Sequence, residues 1–165
     1  MIDPWVHVYD STDPAAIPAT ADFVLAYMDG RYQTLVAVAK TRPHSRIIQC
    51  TVTGRPGVRV CDVERGDLTP EQGAAWAIEE RNAGRRGWVY ASTSTIPLVV
   101  KALQARHYMP QICDWWEANY DGASTIAPGR QAHQYASAND PATSHLAPAG
   151  CDVSVALLSA VMRAE

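Results

Sequence analysis

Nowhere in this 165-residue sequence do basic residues gather. Twelve arginines and two lysines are spread along it, and the formal net charge is −3. A nucleic-acid partner needs a basic stripe or patch, so none is expected. Long apolar runs are also missing: the longest fall far short of the ~20 residues of a membrane span, and no membrane partner is expected. The opening Met1-Ile2-Asp3-Pro4-Trp5 lacks the basic and apolar regions of a signal peptide, which predicts synthesis in the cytoplasm. Cys50, Cys61, Cys113 and Cys151 form no CxxC pair, and no histidine stands beside them at ligand spacing. They read as small buried hydrophobes, with no metal and no cofactor implied. A glycine-rich phosphate loop and a GxSxG elbow are absent as well.

What is present is an ordinary globular composition, 47% hydrophobic and 19% charged, in a length that suits one domain over residues 1–165. Alternating or β-rich runs predict eight strands: Trp5–Tyr9, Asp22–Met28, Arg46–Val52, Val58–Asp62, Gly87–Ala91, Ile112–Asn119, Gln131–Tyr135 and Cys151–Ala156. Helical spacing predicts helices over Tyr32–Lys40, Pro70–Ala83, Ile96–Arg106 and Leu157–Arg163. The second is the best signed: Thr69 as N-cap, Pro70 at the first helical position and Gln72 as capping-box partner. Strands alternating with helices predict an α/β fold, a reduced and irregular (β/α) barrel of TIM type with about eight strands and few helices. It should be well wound in the middle and helix-poor at its end. Only Thr53–Gly57 separates the third and fourth strands, shorter than the dozen or so residues of a parallel crossover. Either that pair is antiparallel or its boundaries lie elsewhere.

The chain is organised around Val58-Arg59-Val60-Cys61-Asp62-Val63-Glu64-Arg65-Gly66, which begins as a buried strand and ends in acid. Residues two apart on a strand face the same side, about 6.5–7 Å apart. Asp62 and Glu64 are therefore neighbours where the strand leaves the sheet. Adjacent carboxylates push each other's pKa apart, leaving one protonated for acid work. Glu64, with the longer reach, suits the acid; Asp62 suits the ionised or orienting partner. Asp10 and Asp29 end two other predicted strands, and Asp152 stands near the start of the last. Aromatic residues gather at the same predicted edge: Tyr27, Tyr90, Trp115, Trp116, Tyr120 and Tyr135, with Gln134 beside them. Sugars stack their apolar faces on such rings, and a glycosidase needs a proton donor with a negative partner. His133 reads as a satisfied core or rim histidine.

In chain order, Asp62-Val63-Glu64, Trp88-Val89-Tyr90-Ala91-Ser92, Asp114-Trp115-Trp116-Glu117-Ala118-Asn119-Tyr120, Gln134-Tyr135 and Asp152-Val153-Ser154 resemble the ordered motifs of glycoside hydrolase family 25, the muramidase (lysozyme-type) barrels. Tyr9-Asp10-Ser11, Tyr27 to Gly30 and Asp62 to Gly66 look most like the small glycoside-hydrolase-like domains of actinobacteria and their phages. The resemblance spans nearly the whole chain. It implies a peptidoglycan β-1,4-glycosidase of N-acetylmuramidase type, with Glu64 as general acid and Asp62 orienting the substrate N-acetyl group or stabilising the intermediate it forms. Asp10 and Asp152 match the family's first and last active-site acids, and Tyr90, Trp116 and Gln134 fall where it lines its glycan groove. Asp29, Tyr27, Tyr120 and Tyr135 complete the expected glycan contacts.

Two departures are visible. Ser11 leads to Thr12-Asp13-Pro14 where the family continues to a Gln, and Ser154 stands where it often has Asn or Asp. They motivate the alternative: a catalytically inactive barrel module that binds glycan or protein in a virion or a cell-wall-associated assembly.

Overall fold

A computed structural model describes residues 4–163, so Met1 to Asp3 of the opening stretch lie outside the described residues. The eight strands are β1 (Trp5–Asp10), β2 (Phe23–Tyr27), β3 (Arg46–Thr51), β4 (Val60–Val63), β5 (Trp88–Ser92), β6 (Asp114–Ala118), β7 (Ala132–Ser137) and β8 (Asp152–Leu157). They close in sequence order into one barrel. Helix α1 (Leu35–Thr41) joins β2 to β3, α2 (Pro70–Asn82) joins β4 to β5, and α3 (Ile96–Gln104) joins β5 to β6; α4 (Leu158–Val161) follows β8. The three helices that join strands sit in the middle of the chain, as expected. The connections β1–β2, β3–β4 and β6–β7 carry no α-helix.

Neighbours are parallel from β1 to β7, including β3 and β4, which pair only through Cys50–Val60 and Thr51–Cys61. The antiparallel option for that pair is therefore wrong. Its connection is eight residues long, 52–59, and it is clamped rather than wound. The indole N–H of Trp76 on α2 donates to the Arg55 carbonyl at 3.0 Å, and the Gly57 N–H donates to the buried Glu80 carboxylate at 2.8 Å. Glu80 is held in turn by Arg85 at 2.5 and 2.8 Å. Helix α2 begins as its sequence dictates, with Thr69 and Gln72 exchanging the two capping bonds at 3.3 and 2.9 Å. It lies close on β4 because Gly73 has no side chain; a Cβ there would meet Val63 at 2.4 Å.

Strand β8 is the exception to the parallel plan. It runs antiparallel to both β1 and β7. The start of β8 thus lies at the same end of the barrel as the finish of the other seven, and Asp152 pairs directly with Asp10. That end is the mouth. The opposite end, the floor, is covered by α4, whose Ala160 and Val161 pack into the barrel interior with Val8, Trp88 and Ala156.

Alternation along each strand sorts the core. Val8, Leu25, Ile48, Val60, Trp88 and Trp116 fill the interior. Cys61, Val63, Val89, Ala91 and Trp115 face out and bury α2 and α3, which accounts for the strongly apolar β4 and β5. All four cysteines are free and buried. Among the described residues no helix is long and apolar enough to cross a membrane.

Candidate active site

The mouth is built rung by rung. Asp62, Tyr90 and Trp116 are register partners across β4, β5 and β6, so their inward side chains stand side by side. Tyr90 and Trp116 meet edge to face at 6.1 Å, and Trp116 meets Trp88 below it at 5.6 Å. The Trp116 indole N–H donates to Ser154 Oγ at 3.0 Å. Glu64 follows the last residue of β4 and rises toward the rim, near Tyr90, whose hydroxyl draws its pKa down. Across the mouth, Tyr27 Oη donates to Asp10 Oδ2 at 3.2 Å.

A one-residue irregularity in β7 completes the arrangement. Gln134 pairs with Ser154, but Ala136, not Tyr135, pairs with Val153, and Ser137 pairs with Asp152. Tyr135 is the extra residue of a β-bulge. The bulge resets the alternation so that Gln134 and Ser137 both face inward, where they act on the Asp152 carboxyl and hold its pKa down against burial. The Gln134 Oε1 in turn accepts the Tyr90 hydroxyl proton. Tyr120, more than a third exposed, comes to the site from the loop after β6, near enough to Tyr90 for that hydroxyl to act on its own. His133 is buried against that loop, its two ring nitrogens 2.6 Å from the Thr125 carbonyl and 2.9 Å from the Asn119 carbonyl, one of which accepts its N–H; it is a structural histidine as read from the sequence.

Four acids therefore share one end of the barrel, and burial raises all of them. Asp10 is pushed from 3.8 to about 8, by burial first and then by the facing Asp152, against the opposing Tyr27 hydrogen bond. Asp62 is held well above the usual carboxylate range by burial, then by Glu64. Glu64 is raised by burial and pulled back by Tyr90; Asp152 is raised by burial and pulled back by Ser137 and Gln134. Asp62 Oδ1 is buried with no hydrogen-bond partner. Both members of the acid pair are raised, and Asp62, the deeper of the two, stands well above its usual range. Among the described residues no group of three His, Cys, Asp or Glu is arranged to hold a metal ion.

Of the residues expected at the site, the structure brings together Asp10, Asp62, Glu64, Asp152, Tyr27, Tyr90, Trp116, Gln134 and Tyr120. Trp116 is only 1% exposed and supports the site from beneath; it offers no open ring face. Three residues fall elsewhere. Trp115 faces out of the barrel and packs under α2 and α3. Asp29 accepts from Thr51 Oγ1 at 2.6 Å, the Val52 N–H at 2.9 Å and Thr53 Oγ1 at 2.9 Å, so its carboxylate is consumed in holding the end of β3. Tyr135, displaced by the bulge, packs outside the barrel with Val153, Val155 and the rings of His7 and His133. The sequence reading also missed Tyr32, placed there in a helix. The helix starts three residues later, and the Tyr32 ring meets Tyr27 at a tilt, 5.4 Å between centroids, with the Arg31 guanidinium over its face at 4.8 Å. Ser137 and Ser154 were missed as supports; for Ser154 the two-residue step from Asp152 was the available signal.

The fold and site define a closed, mixed α/β barrel with a carboxylate cluster ringed by tyrosines. Comparison with protein-family models, curated proteins and solved structures gives no match to this chain.

Proposed function

We propose that the mouth is a glycosidase site and that the fold is a reduced (β/α) barrel of TIM type with its last strand reversed. The substrate is peptidoglycan, cut at the β-1,4 bond after N-acetylmuramic acid. Glu64, at the rim beside Tyr90, is the general acid that protonates the leaving oxygen. Asp62 is the orienting carboxylate. One observation carries this reading: Asp62 Oδ1 is buried, unpartnered, and two residues from Glu64 on the same strand face. A buried carboxylate oxygen without a donor is costly, and an N-acetyl N–H delivered by the substrate would satisfy it and favour its ionised form. Tyr120 and Tyr32 offer rings at the rim for sugar faces. The ordered motifs support an activity at a cell wall, in the manner of actinobacterial and phage wall hydrolases.

Release of new reducing ends from purified actinobacterial peptidoglycan tests the reading. Glu64→Gln should lower turnover by about 10²–10⁴-fold with the circular dichroism unchanged. Cleavage by that variant at the wild-type rate would refute the assignment. One feature favours a second reading, a silent glycan- or protein-binding module: the space enclosed by Asp10, Tyr27, Asp62, Tyr90 and Trp116 holds no more than about one water. Retention on insoluble wall with no product from wild type would select that module.

A further inference from the structure

The arginines are scattered along the sequence, but the fold collects several of them at the floor. Arg46 begins β3, Arg59 directly precedes β4, Arg86 lies just before β5, and Arg163 follows α4. The floor carries two adjoining clefts that share Arg59 and Arg163. One runs toward Arg85 and Arg86. The other, of about 340 Å³, lies between β3 and α4 and is lined by Arg46, Arg59, Trp88 and Arg163.

Carboxylates balance only part of this charge. Glu80 pairs with Arg85 at 2.5 Å, and Asp114 takes both Arg86 at 2.8 Å and Arg163 at 3.0 Å. Among the described residues of the two clefts, five arginines thus face two carboxylates. Arg163 keeps 44% of its side chain exposed beside Asp114. Arg46 is exposed and enters no ion pair among the described residues. Arg59 is held in place: it donates to the Ala160 carbonyl at 2.8 Å, and its guanidinium lies over the Trp88 ring at 5.6 Å.

A second observation points the same way. Trp88 is 1% exposed, and its indole N–H is buried with no hydrogen-bond partner. An indole N–H can only donate, and so can a guanidinium. A buried donor without an acceptor is costly. The cleft therefore calls for an acceptor, and its charge calls for an anion. One guanidinium fork satisfies a carboxylate in a single plane. Here the donors come from β3, the residue before β4, β5 and the residues after α4, so they converge from several sides. A tetrahedral oxyanion matches that arrangement, and a phosphomonoester brings about −1.5 to −2 of charge at pH 7 with three acceptor oxygens.

We propose that the floor holds a phosphate-binding site, in which Arg46, Arg59 and Arg163 neutralise a phosphate or phosphomonoester group and the Trp88 indole N–H donates to one of its oxygens. The site lies at the opposite end of the barrel from the acids and is independent of the glycosidase reading. The adjoining cleft, about 230 Å³, takes whatever an ester carries beyond its phosphate.

The test is a nitrogen–proton NMR titration of the indole groups in the full chain, with inorganic phosphate and, separately, glycerol phosphate, at constant ionic strength. The Trp88 indole resonance should move downfield and saturate. Arg46→Gln should weaken the binding about tenfold or more, the worth of one hydrogen bond between charged groups. Lys101→Gln, the same loss of charge at an exposed position on α3, should bind as wild type does. Tighter binding of glycerol phosphate assigns the site to a phosphoester that reaches the adjoining cleft; equal binding of the two probes assigns it to the free ion. An unmoved Trp88 resonance, a shift that chloride reproduces, or equal weakening by the two variants would overturn the proposal. Arg163→Gln, scored in the same way, replaces Arg46→Gln if that variant does not fold.

Discussion

Replacing Asp10 by asparagine should make the protein more stable, and only at high pH. The amide keeps an oxygen for the Tyr27 hydroxyl and offers an NH2 toward Asp152, the direct partner across β1 and β8. In the wild type the folded-state pKa of Asp10 is raised from 3.8 to about 8, chiefly by burial and then by Asp152. A raised carboxyl pKa means that the folded chain binds the proton more tightly than the unfolded one. The stability linked to it is therefore full below about pH 4 and is lost as pH rises through about 8. At about 1.4 kcal/mol per pH unit, the span corresponds to a loss on the order of 5 kcal/mol in wild type. The substituted amide never ionises. Urea unfolding at pH 4 should find the two proteins within about 1 kcal/mol, and at pH 9 should find Asp10→Asn ahead by roughly 3–5 kcal/mol. A constant gap at both pH values would refute the reasoning, because a packing or hydrogen-bond effect has no such dependence. If the site is catalytic, the same variant should gain stability while losing turnover, as expected where acids are held in a costly place for their chemistry.

Gly73→Ala should destabilise by about 1–3 kcal/mol despite alanine's better helix propensity, because the added carbon meets Val63 at 2.4 Å; thermal unfolding reads it, and an unchanged midpoint would show that α2 can lift off β4 freely. Ser154→Ala strands the buried Trp116 indole N–H and should cost about 1–3 kcal/mol, with Trp fluorescence changed in the folded state; equal stability in denaturant would mean that the indole finds another acceptor. The wall-digestion assay of Glu64→Gln completes the set.

The parts of the site that obey simple periods were legible in the sequence. Asp62 and Glu64 share a face because strands alternate, and Thr69, Pro70 and Gln72 start α2 through local bonds that need no tertiary partner. The failures each involve a rule broken by a distant contact. Gln134 and Tyr135 were both expected to face the glycan, which no regular strand allows; the bulge resolves it by turning Tyr135 out. Asp29 looks like a catalytic acid at a strand end, yet its partners Thr51 to Thr53 lie more than twenty residues away. For the acid pair the sequence shows charge repulsion but not burial, and burial is the largest cause of the shift in both. The reversed β8 had no local mark at all: a strand's direction in the sheet is a property of its neighbours.

The reversal has a consequence for how the domain can be carried. Strand β1 leaves the floor and β8 returns to it, and the Leu158 N–H donates to the Pro4 carbonyl at 2.8 Å. Both ends of the described chain therefore stand together on the face opposite the acids. Any tether, scaffold or fusion partner joined at either end attaches from behind and leaves the mouth unobstructed. A surface too large to enter a cleft, such as an insoluble polymer sheet, can then be approached head-on.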